Sequence, residues 1–274
     1  QSPLVQTDSD LANAFWAAER GIPVIFLGGG VAGSTGPVTG AGSLVVTMAG
    51  ALASLTILQL KARGSSICIG GVPEAMDLRT CLPAYGSPEM SLYSAALSDI
   101  CRYLGLPFMG TAGASEAKVL DLQAAIESTF QVVLSGLSGA TLVHDVGFLD
   151  CANTGSLEML VMNDEIIAMT RRMMRGIEVS DDTLMLDLID AVGPGGEFLS
   201  ATETARRCRA EIWHPTLMDR QNWVTWVESG TQTMQDRIRA RLQEILATHR
   251  PPPLSGDAAE KIQAVLEAAE ARQN

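Results

Sequence analysis

The sequence predicts an α/β fold, a series of βα units building a parallel sheet and followed by a helical region. Short apolar, strand-like segments recur at residues 23–27, 66–70, 107–110 and 141–145, with a weaker one at 3–5. They stand roughly 35 to 43 residues apart, close to the ~30 or more of a βαβ unit. Gly-rich turns and helical stretches lie between them, and apolar strands alternating with helices imply a parallel sheet covered by helices. From Ser156 onward the strand signal disappears. The expected organisation is βα units over 1–155 and a helical region over 156–274, packed together as one domain. Four or five βα units are too few for a closed eight-stranded barrel, which takes ~250 residues on its own.

The helical region is read from its stops and caps. Ser180 precedes an apolar-periodic run that ends at Gly193-Pro194. Ser200-Ala-Thr-Glu203 has the spacing of a capping box and opens a helix toward Trp213. Residues 231–249 form an amphipathic helix that Pro251-Pro-Pro253 ends, and Ser255 opens a last helix rich in Ala and Glu.

Forty consecutive residues, 21–60, carry no charge, in a chain whose formal net charge is -12. As a membrane span, 38–60 is long enough, since ~20 apolar residues cross a bilayer. Its Gly, Ser and Thr dilute the hydrophobicity, and neither a basic flank asymmetry nor an aromatic belt accompanies it. As a dinucleotide site, Gly28-Gly-Gly30-Val-Ala-Gly33 fits G-x-G-x-x-G after a strand. Gly36-Pro37 interrupts the helix start, however, and the first acid after Glu19 is Glu74, not one ~20 residues beyond the glycines. A buried βα unit of a barrel fits best. Pro37 suits a first helical turn, small residues let the helix pack closely, and the loop lies where barrel enzymes build their sites.

Composition narrows the partners. A sequence pI near 4.7 argues against nucleic acid, because neutralising phosphates needs a basic face. The five cysteines are odd in number, widely spaced and without a C-x-x-C pair, which suggests reduced thiols, no metal site and a cytoplasmic setting. The three histidines are too scattered to form a metal motif. The opening Gln1-Ser-Pro-Leu4 reads as the interior of a longer polypeptide.

At this point the residues resemble a known family, the trimethylamine methyltransferase family of corrinoid-dependent methyltransferases. The resemblance rests on Ser2-Pro-Leu4, Gly21-Ile-Pro-Val24, Ala32-Gly-Ser-Thr-Gly-Pro-Val-Thr39 with Ala41-Gly42, and Met76-Asp-Leu-Arg-Thr80. It continues through Gly86-Ser-Pro-Glu89, Tyr103-Leu-Gly-Leu-Pro107, Ala117-Lys118 with Asp121 and Gln123, Ser156-Leu-Glu158, and Asp164-Glu165. Val192-Gly-Pro-Gly-Gly196-Glu-Phe-Leu199 and Asp219-Arg220 ahead of Trp226 complete it. The chain is similar to the carboxyl-terminal half of family members about twice its length. The resemblance implies the carboxyl-terminal part of a (β/α)8 TIM-type barrel, four or five βα units followed by a helical cap.

It also implies an activity: transfer of an amine's methyl group to the Co(I) of a corrinoid (cobalamin) held by a cognate partner protein, not bound tightly by this chain. Pyrrolysine of the trimethylamine enzymes would fall at or beside Val119, so the resemblance is to the non-pyrrolysine branch that acts on quaternary amines such as glycine betaine. A homo-oligomer is the expected assembly. Three positions depart from the family pattern: Gly50 near a frequent acid, Cys81 at a frequent glycine, and Glu203 where a histidine often precedes Thr204. Within barrel enzymes the other reading is a phosphate-bearing ligand at the glycine loop, and outside enzymes it is a diverged binding or assembly member.

The candidate site residues follow from position. Gly33, Ser34 and Thr35 on the glycine loop, with Asp77 and Arg79 after the second strand, are expected to face the corrinoid; a local Asp77–Arg79 ion pair is the plainer reading. His144 and Asp145 end a strand, where side chains reach a site, and are expected to bind substrate. Glu89 is either a cation partner or a helix-start acid. Lys118 and Asp121 are expected as i,i+3 neighbours on a helix face, either at the mouth or as a surface pair. Aromatic faces suited to a quaternary ammonium are sought at Phe108, Phe148 and Tyr85, which are equally placed for a core.

Overall fold

A computed structural model describes residues 3–254 and 256–272. In chain order the elements are α1 (Asp8–Ala18), β1 (Val24–Gly28), α2 (Gly40–Lys61) and β2 (Ile67–Gly71), then a small hairpin of β3 (Met76–Asp77) and β4 (Leu82–Pro83). There follow α3 (Pro88–Tyr103), β5 (Phe108–Thr111), α4 (Leu122–Ser138), β6 (Leu142–His144) and a second hairpin of β7 (Phe148–Leu149) and β8 (Thr154–Gly155). Among the described residues only helices come after: α5 (Leu157–Met174), α6 (Asp181–Leu184), α7 (Leu186–Val192), α8 (Thr202–Glu211), α9 (Trp223–Glu228), α10 (Met234–Thr248) and α11 (Ala258–Glu270).

The four main predicted strands pair in parallel in the order β1-β2-β5-β6, which is their order along the chain. The segment at 3–5 is a turn running into loop and adds no fifth strand. Nor does the sheet close into a barrel: β1 and β6 are its edges. The two hairpins escaped the sequence reading because each strand is only two residues long, below any detectable alternation.

Strand parity divides the sheet. Parallel register places Phe26, Ile69 and Phe108 in one row, packed against Met48, Ala51, Leu97 and Cys101 from α2 and α3. The alternate row runs Leu27, Gly70, Met109 and Leu142. On that face Ile25, Leu27 and Leu142 are 43%, 57% and 50% exposed, so it is left largely uncovered. Thr111 and His144 continue this second face at the carboxyl ends of β5 and β6.

Helix α2, uncharged up to its last residue, Lys61, is long and apolar enough to cross a membrane by length and composition. Its stripe of Ser43, Thr47, Gly50, Ala51, Ser54 and Leu58 is buried, and it packs on β1, β2 and α3. Its buried hydroxyls are satisfied locally, Ser43 on Gly30 O at 3.1 Å, Thr47 on Ser43 O and Ser54 on Gly50 O at 3.0 Å. A Cβ at Gly50 would meet only Phe26 Cζ at 3.9 Å and Leu4 Cδ2 at 4.0 Å, ordinary contact distances. Glycine in a helix interior costs about 1 kcal/mol relative to alanine. Gly50→Ala is therefore expected to stabilise the protein by about 1 kcal/mol, read from the shift in urea midpoint at constant slope.

In the helical region Ser180 caps α6 with Thr183 in a reciprocal box, and α7 ends at Gly193 as expected. The box at Ser200–Glu203 does not form. The Ser200 hydroxyl donates instead to Glu197 Oε1 at 2.5 Å, Ala201 is the helix boundary, and Glu203 accepts from Arg206 and Arg207. Two guanidinium groups within reach outcompete one backbone N–H for a carboxylate. α10 opens with a capping box between Thr233 and Asp236. Ser255 lies outside the described residues; Asp257 is the boundary of α11. Residues of α4, α5 and α10 (Val132, Met159, Ile166 and Ile238) share one buried cluster with Leu149 and Leu217.

Candidate functional site

The glycine loop after β1 is bound to the loop after β2. Ala32 N–H donates to Glu74 O at 2.8 Å and Met76 N–H to Ala32 O at 2.9 Å, forming a short parallel bridge beyond the sheet. The contact requires glycine at 29, because a Cβ there would lie 2.7 Å from Val72 O. The loop then folds on itself. Val31 N–H donates to Thr35 Oγ1, Gly33 N–H to Gly36 O, and both Ser34 and Gly36 N–H groups to Val31 O. The N–H groups of Val31, Ala32, Gly33, Ser34 and Gly36 are thereby engaged within and between the two loops.

Gly33, at φ 91°, brings Val38, Met76 and Leu78 together at 3.7 Å from where its Cβ would be. Ser34 and Thr35 are exposed beside it. Asp77 and Arg79 form the local ion pair, with Arg79 Nε and NH2 at 3.1 and 3.0 Å from the carboxylate, and Arg79 is 90% exposed. The Arg79 hydrogen bonds hold the Asp77 carboxyl below its ordinary range. Cys81 closes this hairpin at φ 57°, the left-handed region where glycine has no penalty. The cost of a side chain there is about 1–2 kcal/mol, partly offset by the greater unfolded-state freedom of glycine. Cys81→Gly is expected to raise the unfolding free energy by about 0.5–1 kcal/mol, measurable in chemical denaturation.

The chemistry concentrates on the uncovered face at the ends of β5 and β6. His144 Nδ1 lies 2.7 Å from Asp145 Oδ1, and Nε2 lies 2.9 Å from Thr111 Oγ1. With Nδ1–H donating to the carboxylate, a neutral imidazole accepts the Thr111 hydroxyl proton at Nε2. Tyr85 donates its hydroxyl to Asp145 Oδ2, so the four side chains are linked in a line, Tyr85 to Asp145 to His144 to Thr111. His144 and Asp145 side chains are 26% and 17% exposed, whereas Tyr85 and Thr111 are buried.

Charge in this group is unequally shared. Burial resists ionisation of Asp145, but the hydrogen bonds from His144 and Tyr85 outweigh it and hold the carboxyl low. Glu74, half-buried nearby, is raised by burial and then by the charge of Asp145. The Tyr85 hydroxyl is pushed upward by burial and by its bond to Asp145, so it remains a donor.

A second layer holds this group in place. Buried Gln131 donates to Tyr85 O at 3.1 Å and accepts from Ala114 N–H at 3.2 Å. Glu127 accepts from Ser115 Oγ and Glu116 N–H at 2.5 and 2.9 Å and from Gln123 at 2.8 Å, a structural role. Gly86 is needed here, since a Cβ would lie 2.4 Å from the Glu127 carboxyl.

Other predicted positions lie apart. Phe108 is 2% exposed at the start of β5 among the helix-facing residues, so parity removes it from any ligand. Tyr85 packs its ring in a buried cluster with Met90 and Ala114, against which Phe148 is partly buried. Glu89 is exposed in the first turn of α3, the helix-start reading. Lys118 and Asp121 do not share a helix face. Asp121 caps α4 by accepting from Ala124 N–H, while Lys118 precedes the helix and pairs with Asp150 at 3.2 Å. Val119, in the same loop, is 63% exposed.

Glu74 and Thr111 escaped the sequence reading. The available signal was that Glu74 is the first acid after the charge-free stretch and follows a strand by a few residues. All five cysteines are free thiols. Burial pushes Cys68 up, and burial with the neighbouring Cys68 pushes Cys101 up to about 11, which keeps both thiols protonated. Among the described residues no group of three or more His, Cys, Asp or Glu is placed to hold a metal ion.

A parallel sheet with polar side chains gathered at the strand carboxyl ends defines an α/β protein with a candidate site where such sheets receive ligands. The chain belongs to the trimethylamine methyltransferase (MTTB) family, whose model matches residues 1–273. It is 34% identical over 266 residues to the glycine betaine methyltransferase of Desulfitobacterium hafniense (strain Y51), covering 97% of this chain and 55% of the relative. It is 33% identical over 253 residues to trimethylamine methyltransferase MttB of Methanosarcina barkeri (strain Fusaro / DSM 804), covering 92% of this chain and 51% of the relative. The chain thus spans about half the length of the curated relatives it matches.

Proposed function

We propose that the complete protein transfers a methyl group from a quaternary amine, glycine betaine or a similar compound, to a corrinoid carried by a partner protein. The observation that carries the reading is a pair of partly buried carboxylates, Asp145 beside His144 at the end of β6 and Glu74 in the loop after β2, near enough for their charges to interact. A quaternary ammonium offers no N–H, so it is recognised by charge and shape. Asp145, kept ionised by its two donors, supplies that charge in a partly desolvated place. Departure of a neutral tertiary amine from such a cation needs no general acid.

The Co(I) acceptor supplies the nucleophile; the chain's own residues hold the N-methyl in line and exclude water. The acceptor fits the rim at Gly33. There Val38 and Leu78 are 66% and 64% exposed, flanked by exposed Ser34, Thr35 and Arg79, a broad surface of mixed polarity suited to a macrocycle face. In this reading the parallel sheet is part of a TIM-type barrel in the complete protein. The proposed setting is cytoplasmic and the proposed assembly a homo-oligomer.

The test mixes full-length protein, reduced corrinoid protein and a panel containing glycine betaine, other betaines and trimethylamine, and follows the corrinoid absorbance change on methylation. A change with a quaternary amine supports the reading. A change with trimethylamine alone moves the substrate class, and no change across the panel overturns the activity.

A further inference from the structure

We propose that Tyr85, together with Thr111, is a positioning residue for His144, acting on the imidazole through the Asp145 carboxylate. The starting point is a geometric difficulty. Successive residues of a strand point to opposite faces, so neighbouring side chains do not ordinarily meet. His144 is the last residue of β6, and Asp145 nevertheless places Oδ1 2.7 Å from its Nδ1. The backbone of Asp145 makes this contact possible at φ 72°, in the left-handed region that side-chain-bearing residues adopt uncommonly, Asp and Asn more readily than the rest. Such a conformation persists where surrounding contacts fix it, and the Tyr85 hydroxyl on Oδ2 is one such contact from outside the strand.

Tyr85 comes to Asp145 from a separate loop, sixty residues away in sequence. Its own place is fixed at both ends. Gln131 holds its carbonyl, and the preceding Ala84 N–H donates to Ala75 O at 2.7 Å. That bond ties Tyr85 to the segment that carries Glu74. Thr111, buried on the neighbouring strand in register with His144, holds the opposite ring nitrogen at 2.9 Å. Both imidazole nitrogens are thereby engaged, and the part of the ring left exposed is turned to the uncovered face. A role in substrate positioning rests on the amine methyltransferase reading above; the effect on the imidazole does not.

The experiment uses full-length protein with 15N-labelled histidine and the variants Tyr85→Phe and Thr111→Val, with backbone amide spectra as the control for folding. In the parent, the His144 Nδ1 proton is expected as a downfield resonance in slow exchange with water. In Tyr85→Phe its exchange is expected to accelerate on the order of tenfold or more, or the proton to move to Nε2, with amide shifts confined to the neighbourhood of the ring. In the methyl-transfer assay kcat is expected to fall by roughly tenfold or more with KM changed by less than about twofold. Thr111→Val, on the other side of the ring, carries the same test if loss of the buried hydroxyl unfolds the Tyr85 variant. An Nδ1 proton unchanged in a folded variant overturns the proposal. If the resonance responds but the parent methylates no corrinoid with any amine, the positioning stands and the functional reading falls.

Discussion

Replacing Glu165 with alanine is expected to lower the unfolding free energy by about 3 kcal/mol, among the larger effects available from one side chain. Glu165 is 3% exposed on α5 and binds the loop before α9. Its oxygens accept from Thr216 N–H at 2.9 and 3.1 Å, Thr216 Oγ1 at 2.6 Å, Leu217 N–H at 2.9 Å and Met218 N–H at 3.1 Å. Truncation would leave several donors in and around a buried cluster without an acceptor, at about 1–3 kcal/mol for each that water does not reach. Leu217, which packs into that cluster, would lose its anchor.

The same contact has a defined pH dependence. Burial opposes ionisation of Glu165, but the hydrogen bonds from Thr216, Leu217 and Met218 outweigh it and lower its pKa from the ordinary 4.5. A carboxyl depressed on folding stabilises fully above its unfolded value and progressively loses that contribution as pH falls through the folded value. Thermal unfolding from pH 7 down to pH ~3 is expected to show this loss in the parent, and less of it in Glu165→Gln, which cannot ionise. Equal acid sensitivity in both would remove Glu165 as the source.

Asp145→Asn is expected to reduce methyl transfer by the full-length protein by about 100-fold, read as steady-state methylation of the corrinoid partner. The carboxylate faces two donors, Tyr85 O–H and His144 Nδ1–H, and an amide can present oxygen to only one of them. Either the tyrosine contact or the imidazole orientation is lost, and so is the charge offered to a cationic substrate. A second outcome is independent of activity. Because the Asp145 charge contributes to the raised pKa of Glu74, the substitution is expected to lower the Glu74 titration midpoint. The part due to burial, the larger cause, remains. Carboxyl-resolved NMR titration of parent and variant checks the direction.

Local signals in the chain were legible where one interaction dominates. The strand segments at 23–27, 66–70, 107–110 and 141–145 appear within a residue or two, because each is a short apolar run bounded by turn residues. The stop at Gly193 and the cap at Ser180 are equally local. Lys118 shows the limit: three-residue spacing to Asp121 suggests a helix face only if the helix has begun, and the cap at Asp121 starts it one residue later. At Ser200–Glu203 the sequence motif was present, but arginines on the same helix took the carboxylate. Phe108 fits an aromatic site by position after a loop, yet its side of the strand is set by register with Ile69.

The sequence by itself determined the βα order and the switch to helices after Ser156, and its resemblance along the whole chain gave the family. The strand order and the switch depend on composition or spacing within a short window. Only the tertiary structure joined Tyr85 to Asp145 across sixty residues, set Thr111 beside His144, and placed Glu74 within reach of their charges. It alone engaged the glycine loop's donors. The physical reason is that burial, hydrogen-bond partners and electrostatic coupling belong to pairs of groups, and which groups pair is decided by how the strands and loops pack.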